Sequence, residues 1–140
     1  MNSLITTIVI FLFVFAHNCQ AQDKSNLIVH VQDIKTISGE IRIGLYDSET
    51  NWLERTFKSE SIEVISDTCQ VVFTDIPKGE YAISLYQDEN SNGKLDMTMG
   101  IIPKEKFAAS NQAPARFGPP KWKNAKFNIN KNEQEITIKL

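Results

Sequence analysis

Asp88, Asn90, Asn92 and Asp96 stand at positions one, three, five and nine of the stretch DENSNGKLD, residues 88–96. Oxygens at those places, with the Lys94 carbonyl at position seven, form the donor pattern that opens an EF-hand-type calcium loop. A hard cation of this kind takes six to eight oxygens at about 2.3–2.6 Å. Gly93 permits the sharp turn that folds the donors inward, and Leu95 points away to pin the loop to the core. The pattern departs at position twelve, where the EF-hand supplies a bidentate Glu and this chain has Met99. A closing carboxylate must therefore come from outside the loop. Glu105 is the nearest candidate and Asp47 another. Only two loop carboxylates ligate in this scheme, so calcium binding is expected to be weak, roughly 10⁻⁴–10⁻³ M as in extracellular modules. The same residues also suit a metal-free loop in which Asn and Asp cap their own backbone in Asx turns. Both readings stand at this point.

Other chemistry is sparse. His30, the one histidine after residue 21, lies on the polar face of an early strand and reads as a surface residue. No GxSxG, Walker loop, HExxH or paired-cysteine motif occurs, so no catalytic residue is assigned. Glu105 with Asp88 or Asp96 could make a glycosidase-like carboxylate pair, a hydrolase alternative that charge balance around a metal explains more simply. Trp122 and Phe117, near Pro119 and Pro120, could stack on a sugar ring, although pinning a long loop is their plainer role.

The elements that must position these residues are strands. Leu27, Val29 and Val31 alternate with polar neighbours, as do Ile41, Ile43 and Leu45, then Val71 and Phe73, then Tyr81, Ile83 and Leu85, and finally Ile136, Ile138 and Leu140. Period-two alternation means one buried face per strand. Residues 62–66 and 125–130 bring the count to about seven. An all-β fold follows, a single antiparallel β-sandwich. Residues 83–87 run straight into Asp88, so a rigid strand holds the first loop ligand. Residues 33–39, Asp67 with Thr68, and NKNE at 130–133 read as turns, the last as a polar hairpin. In DIPKG, 75–79, Pro77 sets φ and Gly79 is expected to take the positive φ, with the Tyr81 hydroxyl near the turn backbone. Residues 51–59 alone hint at a helix, with Trp52, Leu53 and Phe57 capping the core. Residues 97–124 hold four prolines and no periodicity, yet Ile101, Ile102, Phe107, Phe117 and Trp122 anchor them. We read them as one long ordered excursion.

The chain's ends set its compartment. Residues 4–16 form a 13-residue apolar run, too short to span a bilayer and the right length for a signal core, although residues 1–3 carry no Lys or Arg. Cys19 and Ala21 are small residues at −3 and −1 of a cleavage site before Gln22. Residues 1–21 are thus expected to be a signal peptide and 22–140 a single exported domain, periplasmic or secreted. Lipid anchoring through Cys19 is the lesser alternative, because Asn18 spoils a lipobox. The remaining 119 residues suffice for one core. Cys69 alone remains, excluding an intramolecular disulfide, and reads as a small buried hydrophobe. A formal charge of −2 with scattered basic residues excludes nucleic-acid binding.

FTDIPKGEYAISLYQDENSNGKLD, followed by GIIPKE, SNQA, GPP and AKF, resembles the bacterial domain of unknown function 2141 family. Pro77, Gly79, Tyr81 and Ala82 match its turn and strand; Asp88, Asn90, Asn92, Gly93 and Asp96 match its acidic loop. Gly100, Pro103, Glu105, Ser110 and Asn111 match its later positions. The resemblance runs from residue 27 to 140 and departs at Phe107–Ala109, where a glycine and more aromatics are usual. It implies a small exported protein of Gram-negative bacteria with an Ig-like or transthyretin-like sandwich, and it implies no activity. The expectation is therefore a non-catalytic, monomeric domain with no membrane span. A weak structural calcium loop (Asp88, Asn90, Asn92, Lys94, Asp96 and Glu105) would support a surface for an unknown protein or glycan. Ser110 and Asn111 would hydrogen-bond the excursion. A carbohydrate-binding module using Trp122 and Phe117 is the alternative.

Overall fold

The computed structural model describes residues 23–140. The proposed signal segment and Cys19 lie outside the described residues. The chain is mostly β, in several largely antiparallel sheets. One sheet takes β1 (Lys24–Gln32) between β10 (Glu133–Lys139) and β4 (Cys69–Pro77). The other runs β3 (Lys58–Glu63), β2 (Glu40–Tyr46), β5 (Gly79–Asp88) and β8 (Phe107–Ala109), with β9 (Phe127–Ile129) also against β5. A small hairpin joins β6 (Met97–Thr98) to β7 (Ile102–Pro103). All seven expected strands form, with 62–66 displaced upstream to β3 and three short strands added inside the excursion. The antiparallel expectation fails at one pair, since β1 and β10 run parallel. The 130–133 turn is accordingly not a hairpin, since β9 and β10 belong to different sheets.

Alternation is why the two sheets share one core. Leu27, Val29 and Val31 of β1 meet Ile41, Ile43 and Leu45 of β2, with Phe73, Ile83, Leu85, Ile129 and Ile138 in the same cluster. The period breaks where the backbone is re-aimed. Between the pairs Leu27–Phe73 and Ser25–Ile76, β4 carries one residue more than β1. Asp75 sits there at φ 58, a bulge that turns Ile76 into the core. The left-handed residue of this segment is thus Asp75 rather than Gly79, because only Lys78 separates β4 from β5 and the chain must change sheets there. The Tyr81 ring is buried, and its hydroxyl donates to the Pro77 carbonyl at 2.8 Å, as expected of this corner.

A second apolar cluster lies on the opposite face of the β5 sheet. Tyr46 and Ala82 are covered by Ala109, Ala113, Trp122 and Ala125 of the excursion, with Trp52 beside them. The helix expected at 51–59 is a single turn: Arg55 N–H donates to the Asn51 carbonyl at 2.9 Å, but Leu53 takes φ 61 and the turn ends. That turn seats Trp52, whose Nε1 donates to the Pro120 carbonyl at 2.7 Å and whose ring meets Trp122 edge-on at 5.9 Å. Phe73→Ala, in the fully enclosed main core, is expected to cost about 3–5 kcal/mol in denaturant unfolding. Tyr81→Phe should cost only about 1 kcal/mol, the net worth of its hydrogen bond.

Candidate functional site

Strand register puts two acids face to face: Glu40 of β2 pairs directly with Asp88 of β5. Like charges opposite one another destabilise a sheet. Arg42, two residues along β2, resolves the conflict by bridging them. Its Nε donates to Asp88 Oδ2 at 2.9 Å and its Nη2 to Glu40 Oε1 at 2.6 Å. The Asp88 side chain is 0% exposed. Burial pushes its carboxyl up, but the Gly93 and Asn92 N–H groups and the Arg42 guanidinium outweigh that, leaving its pKa below the ordinary value. Arg42 is raised in turn, chiefly by Asp88.

Asp88 also organises the loop that follows. Its Oδ1 accepts from Asn92 N–H at 3.0 Å and its Oδ2 from Gly93 N–H at 2.7 Å. Asn90 Oδ1 accepts from Asn92 N–H at 3.2 Å, and Asn92 Oδ1 from Lys94 N–H at 2.9 Å, two Asx turns in succession. The amides of Asn90 and Asn92 donate to the two oxygens of Asp96 at 2.8 and 3.0 Å. Glu105 folds back over both ends. Its Oε1 accepts from Glu89 N–H at 3.1 Å and its Oε2 from Asp96 N–H at 3.0 Å. Gly39 lies beneath, at φ +67; a Cβ there would strike the Asp88 carbonyl and come within 2.7 Å of Glu89 Cα.

The six residues expected to ligate calcium are therefore brought together, but as a hydrogen-bonded loop. Every carboxylate oxygen of Asp88, Asp96 and Glu105 receives at least one N–H, and a guanidinium sits on the one that would be the first ligand. Among the described residues no three His, Cys, Asp or Glu side chains converge as a metal group. This donor set does not fit a calcium cage without giving up those bonds. Asp47, the other candidate for closure, lies beyond the far end of β2 and accepts from Asn51 Nδ2 at 3.0 Å. Leu95 is half-buried and faces a groove rather than the core.

That groove is the site's second part. A cavity of about 500 Å³ opens between the β6–β7 hairpin and residues 115–120, lined by Leu85, Leu95, Met97, Ile102, Phe107 and Pro119 among others. Ile101 and Ile102 of its lining stand exposed, as do Met99 in the β6–β7 hairpin and Phe117 in the 115–120 segment, Phe117 completely, at 103%. Trp122, the expected partner of Phe117 in a sugar platform, is 6% exposed and offers a ligand no face.

Residues 29–137 match the family described as an uncharacterized protein conserved in bacteria, DUF2141. The chain belongs to this family. No curated protein and no solved structure matches it.

The residues that carry the family resemblance do three jobs here. Pro77 and Tyr81 close the corner into β5. Asp88–Asp96 and Glu105 build the loop. Ser110 and Asn111 lock the excursion, as expected. β8 and β9 share one edge of β5, at residues 84–86 and 79–81, and leave Ala82 and Ile83 between them. The Ile83 N–H donates to Ser110 Oγ at 2.9 Å, and that hydroxyl donates to the Ala125 carbonyl at 2.6 Å. Asn111, at φ 57, donates its amide to the Lys126 carbonyl at 2.8 Å. Sequence reasoning missed Arg42 and Gln87; the buried Gln87 amide holds the Thr36 and Ser38 carbonyls at 2.7 and 2.9 Å. Their one signal is a charged or amide residue inside an alternating strand. A depressed carboxylate stabilises the fold fully above its ordinary unfolded pKa and loses that contribution as pH falls through the folded value. The unfolding free-energy difference between wild type and Asp88→Asn should thus hold constant from about pH 7 to about 5 and shrink below about pH 4. A difference unchanged down to about pH 2.5 would mean that the charge on Asp88 is not what holds the loop.

Proposed function

We propose that this chain is an exported, non-catalytic binding domain, an Ig-like or transthyretin-like β-sandwich whose stapled polar loop supports an apolar groove for a protein partner. The observation that carries the reading is the groove itself. Ligand sites are concave and mostly apolar with few polar groups, typically about 300–1,000 Å³. Exposed apolar side chains gathered at one place on a surface mark interaction sites.

The carboxylates support a structural role. A general acid or base must reach a substrate proton. Asp88 is enclosed and Glu105 is 8% exposed, and both hold backbone N–H groups instead. The loop's closed hydrogen bonding supports independence from metal. About 2 mM calcium is accordingly expected to move the melting temperature by less than about 1 °C. A rise of several degrees that Asp96→Asn abolishes would return the calcium reading.

Partner binding can be read directly. A photoreactive amino acid replacing Ile102 at the groove should yield a discrete crosslinked adduct in cells that export the protein. The same residue replacing Gln70, on β4, should yield none. Equal labelling from both positions, or none from either, would count against the groove as the binding site. Carbohydrate is the second reading, resting on a polar cleft of about 500 Å³ on the outer face of β3, β2 and β5, lined by Arg42, Ser59, Ser61, Ser84 and Tyr86. Glycan binding lost in Tyr86→Ala but kept in Ile102→Asp would favour it.

A further inference from the structure

We infer that the segment filling this groove is acidic: a peptide with apolar anchors flanked by aspartate or glutamate. The inference rests on reading the groove as a protein-binding site and adds the chemistry of its partner. Charge is distributed unevenly along the chain. Residues 97–126 contain Lys104, Lys106, Arg116, Lys121, Lys123 and Lys126 but one acid, Glu105, in a chain whose formal charge is −2. Six of the fifteen basic residues thus fall within these 30 positions.

Their placement gives the charge a direction. Lys126 pairs with Glu80 at 3.0 Å. Arg116, Lys121 and Lys123 are exposed and form no ion pair with the described residues. They line a second cavity of about 520 Å³ that shares Arg116, Gly118 and Pro119 with the apolar groove. Phe117 stands at this second cavity, fully exposed. An apolar trough and a cationic one thus border the same segment, with Arg116 lining both.

A ligand that fills both carries apolar groups and negative charge side by side. The Arg116 fork matches a carboxylate in two parallel hydrogen bonds, and the two lysines add unpaired positive charge. Met97, which lines the groove at the hairpin, can re-pack around anchors of different shape. A bilayer surface would engage only the protruding groups such as Phe117, whereas a peptide can also place side chains in the concave trough. The peptide is therefore the occupant that uses the whole surface. Charge at the rim would mainly raise the association rate and exclude basic competitors.

The test is selection of a random peptide library of about 12 residues on immobilised residues 22–140, counter-selected on Ile102→Asp to keep groove-dependent binders. Both Ile102→Asp and the triple variant Arg116→Gln, Lys121→Gln, Lys123→Gln alter exposed side chains, so their circular dichroism and melting should match wild type. The inference expects Asp and Glu to outnumber Lys and Arg at least about threefold among these binders. It also expects the triple variant to bind them at least about tenfold more weakly, with affinity falling as salt rises from about 50 to 300 mM. Groove-dependent binders that are neutral or basic, or that ignore the triple variant, would overturn the acidic partner while leaving the groove a protein site. Absence of any Ile102-dependent binder would overturn both. Sedimentation with vesicles of phosphatidylcholine and phosphatidylglycerol, lost in the triple variant and unaccompanied by peptide binding, would assign the surface to a membrane and overturn the peptide.

Discussion

One guanidinium held between two opposed carboxylates organises this protein's candidate site. Glu40 and Asp88 are register partners across β2 and β5, and Asp88 is sealed from water. A buried carboxylate persists as a charge only where donors surround it. Arg42 supplies the opposite charge, and the Asn92 and Gly93 N–H groups complete the shell. The end of β5 thereby becomes a fixed point. The loop folds around that point because its own backbone N–H groups are what Asp88 requires.

The rest of the excursion follows from this anchor. Glu105 closes the loop, the Lys104 N–H donates to the Asp96 carbonyl at 2.8 Å, and the Gln87 N–H donates to the Lys106 carbonyl at 2.9 Å. The returning chain is laid alongside β5 and continues into β8. Ser110 then fills the gap between β8 and β9. The chain is left to cover the outer face of the β5 sheet with Ala109, Trp122 and Ala125. The apolar groove is the space remaining between the hairpin and this cover. The polar loop and the groove share Leu95, which belongs to the one and lines the other.

Much of this was legible in the residues themselves. Alternation marked five of the seven principal strands, and the Tyr81 hydroxyl was expected at the corner where it bonds Pro77. The loop residues were also recognised, including Glu105 from outside the loop. What the spacing left open was their occupant. Spacing of Asp and Asn states where oxygens can converge, and it says nothing about whether a cation or backbone N–H groups will meet them. Arg42 lies 46 residues from Asp88, and no local pattern connects the two. Trp122 was ambiguous for a similar reason. A tryptophan among prolines suits either an open platform or a buried pin, and only the position of Trp52 and Pro120 decides.

The sequence by itself determined the local terms: which face of each strand is apolar, where the chain turns, and that Asp88, Asn90, Asn92 and Asp96 curl together. These depend on residues within a few positions of one another, so periodicity and turn chemistry express them. The tertiary structure decided the rest: the parallel pairing of β1 and β10, the bulge at Asp75, the burial of Ala82 on a second face, and the ion pair that holds the loop. Each depends on strand register between segments distant in the chain. Register is set by the packing of whole faces rather than by any one stretch of residues.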